Sequence, residues 1–513
     1  LFLMNISLMN CIFMNNSDYS LHISDTINFL SIESSQFESN SAYAIYVSDC
    51  LDRVIVSECS FSFCQMKSIC IERCGKDICI QDSTFESTNK YTEPILISVK
   101  TNSSLLIRNV SFNGDDSVFH DHSISCFCKK SFMIENVMIN KCGGIQIDPN
   151  SSMLNGLTVI NTTIKNSEYG LAFNPMKEST ITIVECTFSS VKHALQLSLM
   201  SEHFTLRNNT ICDCNNLDEN EEKESIISIS LINSSEKNFV IENFLFKENK
   251  YFLPKTKKSG FGGGIGMSIK TAMKISTFNL EFKDCIFTAN KALKSGSGGA
   301  LYYVNQGDET ILSSFSICNC NFTRNEAEDK GGALFIETVK ECSILIKNCW
   351  FEINEALIDG GGVYVKNGGY FTIDSSRFIN NSALLTKPSS SLIPSDALAV
   401  FAHANVRVVN SLFIKLSYPK EESNVQTMFS IVDDKLFSEV SIVIEKSVYS
   451  VINPSKSIVA LQNPNINGEI NIKSTSFTRF YLLNTSKLTT QSPSDCPPLE
   501  TPSPNKEETK TFS

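Results

Sequence analysis

The 513-residue chain has no run of 18 apolar residues and no excess of basic side chains. Lys and Arg together number 44 against 55 Asp and Glu, which gives a formal net charge of −11. The missing apolar run argues against a membrane-spanning helix. The scattered negative charge argues against a nucleic-acid surface, which needs a basic stripe. We therefore expect no nucleic-acid partner, and membrane contact only through an anchor that is absent from this sequence.

Tryptophan and proline are also scarce, and no segment carries the sustained 3.6-residue apolar stripe of an amphipathic helix. Trp350 is the single tryptophan, and five of the 14 prolines fall within residues 491–513. We predict a folded region over residues 1–485 and a disordered Pro/Ser/Thr-rich tail over residues 486–513. No signal peptide can be read in the opening LFLMNISLMN, and we expect the natural chain to continue past Ser513.

What the sequence does contain is a repeat. An apolar residue, usually Phe, ends a short alternating run and returns at first every 24 residues, later at wider intervals where loops are inserted. We call these residues the anchors. They are Phe13, Phe37, Phe61, Phe85, Phe112, Ile139, Ile164, Phe188, Ile211, Phe246, Phe287, Phe322, Phe351, Phe378, Phe413, Tyr449 and Phe477.

The run before each anchor alternates apolar and polar residues, as in SILIKNCWF and TITIVECTF, which is typical of a strand with one buried face. A second short strand is predicted after glycine pairs, as in GGALFIE. A 24-residue unit of this kind cannot bury its apolar face alone, so successive units must stack. The sequence thus predicts an all-β fold, a right-handed single-stranded parallel β-helix of about 17 coils.

Other positions recur with the anchors. Cys two residues before the anchor is interpreted as a small buried hydrophobe in reduced form; a disulfide between coils is the alternative, although parallel-strand geometry is usually poor for one. Asn three residues after the anchor is interpreted as a left-handed turn residue. An Ala two residues beyond that Asn would tuck against the next coil, and glycine pairs would supply positive φ. Asn also recurs three residues before the anchor, and this column predicts a hidden asparagine ladder. Its members are Asn10, Asn109, Asn136, Asn161, Asn208, Asn243, Asn319, Asn348 and Asn410.

The sequence resembles a known family at FTAN…GGAL (287–301), FTRN…GGAL (322–334) and FEIN…GGVY (351–364). Phe-x-x-Asn with Gly-Gly-Ala is similar to the repeats of chlamydial polymorphic outer membrane proteins. The looser coil pattern resembles the pectin-lyase-like right-handed β-helix superfamily, and the composition resembles surface proteins of trichomonad-type protists. The resemblance implies a surface-exposed or secreted adhesin-like protein.

Pectin-lyase-like folds also include enzymes that use carboxylates on adjacent coils, so an enzyme is the first alternative. Glu326 and Glu355 occupy the same column on neighbouring coils, with Asp359 in the loop that follows. These are the candidate catalytic residues, for sugar cleavage or a calcium contact. We expect a solvated acidic corner instead, because no Arg, Lys or His joins the pair at a catalytic spacing.

A metal site is the second candidate. The stretch HDHSISCFC offers His120, His122, Cys126 and Cys128, and residues two apart on a strand share one face. The two cysteines also fit an inward strand face, so we expect no metal and no cofactor. The stretch CIERCGKDIC is a still poorer match to known zinc spacings.

The function predicted from the sequence is non-enzymatic contact with host cells or glycans, at the cell surface or outside the cell. A carbohydrate-active enzyme and a structural spacer are the alternatives. Recognition is expected in the inserted loops at residues 251–264 and 384–396, since loops that project from a rigid scaffold often carry binding. Asn-x-Ser/Thr sequons predict a glycoprotein. Those expected to be reachable are Asn15, Asn102, Asn150, Asn233 and Asn484.

Overall fold

A computed structural model gives the fold, and within the ranges it describes every regular element is a β-strand. The described residues are 4–40, 43–64, 67–86, 96–114, 122–147, 156–173, 180–199, 203–216, 226–232, 237–252, 267–272, 277–293, 295–305, 312–338, 342–366, 369–384, 395–401, 405–415, 426–432, 442–451, 457–462, 470–473, 475–477 and 480–483. The predicted tail, residues 486–513, lies outside them.

The strands stack in parallel along three faces, with one strand of each face per coil. Phe315 of one coil pairs with Ile344 of the next, and Ile344 with Phe371 of the coil after that. Within the described residues, the first face contains 17 strands. The chain is a parallel β-helix, and this strand count agrees with the predicted number of coils.

Face 1 contains the alternating runs before the anchors. Its strands are Asn5–Met9, Phe29–Glu33, Val54–Ser57, Ile78–Gln81, Leu105–Arg108, Ser131–Glu135, Gly156–Ile160, Thr180–Val184, His203–Arg207, Lys237–Glu242, Thr277–Lys283, Leu312–Cys318, Ser343–Lys347, Tyr370–Asp374, Asn405–Val409, Ile442–Glu445 and Ile470–Lys473.

Face 2 contains the anchors. Its strands are Ile12–Met14, Gln36–Glu38, Ser60–Ser62, Thr84–Glu86, Ser111–Asn113, Met138–Asn140, Thr163–Phe173, Thr187–Leu199, Thr210–Cys212, Leu245–Lys247, Ile286–Thr288, Asn321–Thr323, Trp350–Glu352, Arg377–Ile379, Leu412–Lys415, Val448–Val451 and Ser476–Phe477.

Face 3 follows the second corner, and the long strands Thr163–Phe173 and Thr187–Leu199 run on into it without a break. Its other strands are Leu21–Ile23, Ile45–Val47, Ile69–Ile71, Ile97–Thr101, His122–Cys128, Gly144–Ile147, Ile227–Ile232, Met267–Ala272, Leu301–Asn305, Leu334–Glu337, Val363–Lys366, Ser395–Phe401, Gln426–Val432, Ser457–Gln462 and Phe480–Leu483. Six short corner strands join faces 2 and 3: Asn215–Asn216, Lys250–Phe252, Lys291–Leu293, Glu326–Ala327, Glu355–Ala356 and Ser382–Ala383.

The anchors form the centre of the core. Phe322 and Phe351 are fully buried, and their rings stack in parallel with centroids 4.7 Å apart. The ring spacing matches the separation of neighbouring strands, so each coil places its ring directly on the ring below. The same stacking runs from Phe13 to Phe112 and from Phe287 to Tyr449.

The corner between faces 1 and 2 carries the predicted asparagine ladder, but the ladder is exposed. Asn161 donates to Asn136 Oδ1 at 2.8 Å, and Asn136 donates to Asn109 Oδ1 at 3.0 Å. These side chains face solvent, and their backbone is left-handed, with φ of 54° at Asn136. The expectation that the ladder, with its sequons at Asn109, Asn161 and Asn208, is hidden was therefore wrong. Asn is used here because it tolerates a left-handed corner.

The buried ladder lies at the other corner, three residues after the anchors. Asn290, Asn325 and Asn354 are fully buried and lie on successive coils. Asn325 does not have a positive φ, and the left-handed residue is the one before it, Arg324, with φ of 55°. The prediction of a left-handed Asn at this position was wrong by one residue. The Ala two residues further on is buried as expected, at Ala292, Ala327, Ala356 and Ala383.

The cysteines two residues before the anchors point inward, but they do more than fill space. The backbone N–H of Cys285 donates to Cys320 Sγ at 3.4 Å, and this sulfur lies 3.2 Å from the carbonyl oxygen of Cys318. On a neighbouring coil, the N–H of Cys349 donates to Ser376 Oγ at 3.1 Å. The thiol and the hydroxyl therefore play the same hydrogen-bonding role in one column.

Glycines close the corner loops before face 3. Positive φ was predicted for the glycine pairs, and Gly298 and Gly331, one from each of two pairs, have φ of 69° and 67°. In the next coil the prediction for the pair at 361–362 was wrong, because the left-handed residue is Gly360, just before it. The second glycine allows close approach, because a Cβ on Gly332 would lie 2.1 Å from a backbone oxygen of the next coil. Within the described residues, no helix is both long and apolar enough to span a membrane.

Candidate functional site

The predicted acidic corner is built by the short corner strands. Glu326 and Glu355 lie directly opposite each other on adjacent parallel strands, as the repeat predicted. Their backbones are therefore about 4.8 Å apart. Both side chains are half-buried, so the corner holds two partly desolvated carboxylates next to each other.

A lysine joins this pair, contrary to the expectation from the sequence. Lys291 lies opposite Glu326 on the coil before it, and its ammonium group forms an ion pair with that carboxylate. The sequence did hold the signal for Lys291, because it lies four residues after its anchor Phe287, as Glu326 and Glu355 lie four residues after theirs. The corner therefore carries a lysine beside the two glutamates, and its surface is not purely acidic.

The environment of Glu355 differs from that of Glu326. Burial raises the pKa of Glu355, and the neighbouring Glu326 charge raises it further, while Lys291 and Lys415 act in the opposite direction. Two neighbouring carboxylates in different environments are the usual arrangement when one acts as a general acid and the other as a base or nucleophile. Glu355 therefore holds a proton more readily than an ordinary exposed glutamate.

On the coils that follow Glu355, the row continues to a buried lysine, Lys415. Ser382 lies opposite Glu355 on the next coil. Lys415 donates to Ser382 Oγ at 2.7 Å and to the carbonyl oxygen of Asn381 at 2.6 Å. Its Nζ also lies 3.6 Å from Asp396, and these two charged side chains are only 7% and 2% exposed. The row therefore reads Lys, Glu, Glu, Ser and Lys along the rod.

The third candidate residue, Asp359, has a local structural role. It is 7% exposed, and its Oδ1 accepts the N–H of Gly360 at 2.8 Å. This bond holds the left-handed glycine turn that leads to face 3. The preceding coil uses its own acid similarly, since Ser297 donates to Asp329 Oδ2 at 2.7 Å. The loop acids thus order the corner loops next to the Glu326–Glu355 pair.

Three of the four candidate zinc residues fall in the strand His122–Cys128. Cys126 and Cys128 are buried at 1% and 0% exposure and belong to the core. His120 lies outside the described residues, as does the side chain of His122. Among the residues whose side chains are described, no three His, Cys, Asp or Glu lie close enough to hold a metal ion. The zinc site stays a prediction.

A second surface, not predicted from the sequence, lies on the first coils. Tyr19 and Tyr43 stack on adjacent coils with ring centroids 5.4 Å apart and planes within 7°. His22 and Tyr46 lie beside them on face 3, with centroids 5.0 Å apart and nearly perpendicular planes. The three tyrosines are half-buried and His22 is exposed. We call these four residues the aromatic surface.

A carboxylate borders the aromatic surface. Glu72, on the next coil, accepts a hydrogen bond from the Tyr46 hydroxyl, and this bond raises the pKa of Tyr46 to about 12. The sequence did hold a signal for this surface. Tyr19 and Tyr43, and likewise His22 and Tyr46, are 24 residues apart, which is the spacing of the first anchors.

A third aromatic column lies on the outer side of face 3, beside the acidic corner. Tyr302, Phe335 and Tyr364 stack with centroids 5.0 and 5.3 Å apart and are buried. The Lys330 ammonium lies 4.9 Å from the Tyr364 ring centroid. This lysine follows Asp329 in the corner loop, so the loop contacts the column.

Comparison with known proteins bears on the fold. Residues 95–268 match a family model described as a right-handed beta helix region. The chain is a right-handed parallel β-helix. No curated protein matches it. The matched segment lies in the middle of the β-helix, whereas the aromatic surface and the Glu326–Glu355 pair fall on either side of it. The match therefore supports the β-helix fold and carries no information about the two surfaces.

Proposed function

We propose that this β-helix is a non-enzymatic protein of the cell surface or the extracellular space that binds glycans or host molecules. The observation that carries the proposal is the aromatic surface. Tyrosine side chains combine a large apolar ring with a hydroxyl, which suits them to partners that are part apolar and part polar. A sugar ring is such a partner, because its C–H face can lie on an aromatic ring while its hydroxyls reach polar groups.

The groups around the rings fit this partner. His22 is exposed, and the Glu72 carboxylate already accepts a hydrogen bond from Tyr46. These groups offer donors and acceptors at the edge of an apolar platform, the usual composition of a small-ligand site. The inserted loops at 251–264 and 384–396 stay predicted as further contacts, and they fall almost wholly outside the described residues.

A glycan array tests the proposal. The wild-type protein is expected to bind one class of glycan, and Tyr43→Ala should weaken that binding about tenfold, which corresponds to about 1.4 kcal/mol. Tyr370 provides the matched control, because it is a tyrosine 60% exposed on face 1. Tyr370→Ala should bind as the wild type does, and both variants should unfold at similar denaturant concentrations. Equal binding by Tyr43→Ala and the wild type would contradict the role of the aromatic surface.

A carbohydrate-active enzyme is the second candidate, and the Glu326–Glu355 pair favours it. Retaining glycosidases place two carboxyl groups about 5–5.5 Å apart, which is close to the spacing of opposite residues on adjacent strands. The raised pKa of Glu355 would suit a general acid. Glu326, with the Lys291 ammonium beside it, would be the nucleophile.

Turnover of polysaccharides separates the two candidates. We expect no release of reducing ends or unsaturated products from polygalacturonate, alginate or neutral glycans. Cleavage that is lost in both Glu326→Gln and Glu355→Gln, but kept in Glu352→Gln, would establish the enzyme instead. Glu352 is a suitable control because it is half-buried on the neighbouring strand of the same coil. Neither binding nor turnover on any glycan would leave the structural spacer.

A further inference from the structure

Two cysteines, Cys50 and Cys74, occupy the same corner position on successive coils near the N-terminal end. They form a parallel bridge pair. The N–H of Cys50 donates to the carbonyl oxygen of Arg73 at 3.0 Å, and the N–H of Gly75 donates to the carbonyl oxygen of Cys50 at 2.8 Å. Backbone hydrogen bonds on both sides therefore fix the two residues opposite each other.

The coils are tightly apposed at this corner. A Cβ on Gly75 would lie 2.4 Å from the backbone oxygen of Leu51, so only glycine permits this approach. Lys76 and Asp52 form an ion pair at 2.7 Å across the same two coils. With Cys50 and Cys74 at 0% and 1% exposure, the corner has little room to separate the two side chains.

Both side chains belong to the core. Interaction between the two thiols lowers the pKa of Cys50 and raises the pKa of Cys74. Residues directly opposite on neighbouring strands are about 4.8–5 Å apart at the backbone, which lies inside the Cα–Cα range of about 4.4–6.8 Å found in disulfides. The backbone spacing is therefore compatible with a disulfide between the two coils.

We propose that Cys50 and Cys74 are a redox-sensitive pair that closes to a disulfide between successive coils when a peroxide oxidises the protein. The Cys50 sulfur attacks one peroxide oxygen, the O–O bond breaks, and water leaves, so Cys50 becomes a sulfenic acid. The Cys74 sulfur then attacks the Cys50 sulfur, the S–O bond breaks, and a second water carries away the thiol proton. Two electrons pass from the sulfur pair to the peroxide.

The disulfide would covalently link the coils that carry the aromatic surface. Tyr46 lies four residues before Cys50, and its carboxylate partner Glu72 lies two residues before Cys74. A covalent link at this point would hold the two in register under oxidising conditions.

Peptide mapping after hydrogen peroxide treatment tests the proposal. The oxidised chain should lose two hydrogen atoms by intact mass. Trypsin, without reductant, should release residues 74–76 attached to residues 1–53, because the first cleavable bond follows Arg53. Cys11 shares that large peptide, so the map is repeated in Cys11→Ser, where the link should persist. The oxidised protein should also resist proteolysis of its first coils at higher urea concentrations than the reduced protein.

Two variants make the result decisive. Cys50→Ser should abolish the link, whereas Cys59→Ser should leave it intact, since Cys59 is a buried thiol in another column. Half-buried Cys79 serves as an internal standard for oxidation. If peroxide oxidises Cys79 while Cys50 and Cys74 stay unlinked, or if Cys74 is cross-linked in the Cys50→Ser variant, the proposal is overturned.

Discussion

The Asn325 side chain binds two neighbouring coils at once. It donates to Asn354 Oδ1 at 2.9 Å and to the carbonyl oxygen of Phe287 at 3.0 Å, and its own Oδ1 accepts from Asn290 at 2.8 Å. Asn325 is fully buried, so water cannot replace any of these partners. One amide per coil thus satisfies the backbone of a corner that would otherwise be left with unpaired polar groups.

Replacing Asn325 with Leu is therefore expected to lower the free energy of unfolding by about 2–3 kcal/mol, because it orphans buried partners on both sides. The measurement is urea unfolding monitored by circular dichroism. Asn319→Gly is the control from the exposed ladder, and it should cost less than about 1 kcal/mol, because water can take the place of the lost amide and Gly accepts a left-handed backbone. Equal losses in the two variants would show that burial does not distinguish the ladders.

The thiol column leads to a second prediction. Cys320 Sγ accepts from the N–H of Cys285, and serine fills the same column at Ser376 and Ser411. Cys320→Ser should therefore change the unfolding free energy by less than about 1 kcal/mol, whereas Cys320→Ala should cost about 1–3 kcal/mol by leaving that N–H unpaired. If the serine variant is less stable than the alanine variant, hydrophobic packing alone explains the cysteines in this column.

The architecture could be predicted from the sequence because stacking repeats it. Phe322 and Phe351 align in the sequence and in space for the same reason, and so do Glu326 and Glu355. What the pattern did not show is burial at the corners. Nothing in the sequence distinguishes the Asn before the anchor from the Asn after it. Asn319 is nevertheless exposed and Asn325 buried, because the path of the chain around each corner decides which side chain faces the core.

Ile353 departs from the corner pattern. It has φ of 53° and is 45% exposed, and a β-branched residue in this region is strained. Ile353→Asn should stabilise the protein by about 1 kcal/mol, because Asn tolerates the left-handed backbone better. Ile353→Val keeps the branched Cβ and should leave the thermal midpoint unchanged. If Ile353→Asn shows no gain, neighbouring contacts outweigh the backbone strain.

The raised pKa of Glu355 predicts a pH-dependent effect on stability. Burial and the charge of Glu326 raise this pKa in the folded state. The folded state therefore binds the proton more tightly than the unfolded state, and that stability is lost as pH rises through the folded pKa. Glu355→Gln should raise the melting temperature at pH 7. The gain should shrink as pH falls through the raised folded pKa, and it should be gone below about 4.3, the pKa of an ordinary glutamate.

Glu326→Gln provides the contrast at the same corner. It removes the ion pair with Lys291 as well as the repulsion of Glu355, so it should raise the melting temperature at pH 7 less than Glu355→Gln does. Matching pH profiles for the two variants would mean that the carboxylates have equivalent environments, and would remove the asymmetry on which an acid–base pair depends.

The buried ion pair of Lys415 and Asp396 gives the last prediction. The two side chains are 7% and 2% exposed, with Nζ 3.6 Å from Oδ2, and Asp396 Oδ1 also accepts the N–H of Ala383 at 2.8 Å. Lys415→Met should cost about 3–5 kcal/mol, because it leaves a carboxylate buried without its cation. The measurement is urea unfolding at pH 7.

A double-mutant cycle separates the lost attraction from the stranded charge. Lys415→Met combined with Asp396→Asn should be more stable than Lys415→Met alone, because the neutral amide still accepts from Ala383 and carries no uncompensated charge. Lys366→Met serves as the exposed control. Its ion pair with Glu337 is 2.7 Å long but 43% exposed on the lysine side, so its loss should cost less than about 1 kcal/mol. If the double variant is no more stable than Lys415→Met, the cost arises from the hydrogen bonds of Lys415 to Ser382 and Asn381, and the charge of Asp396 contributes nothing.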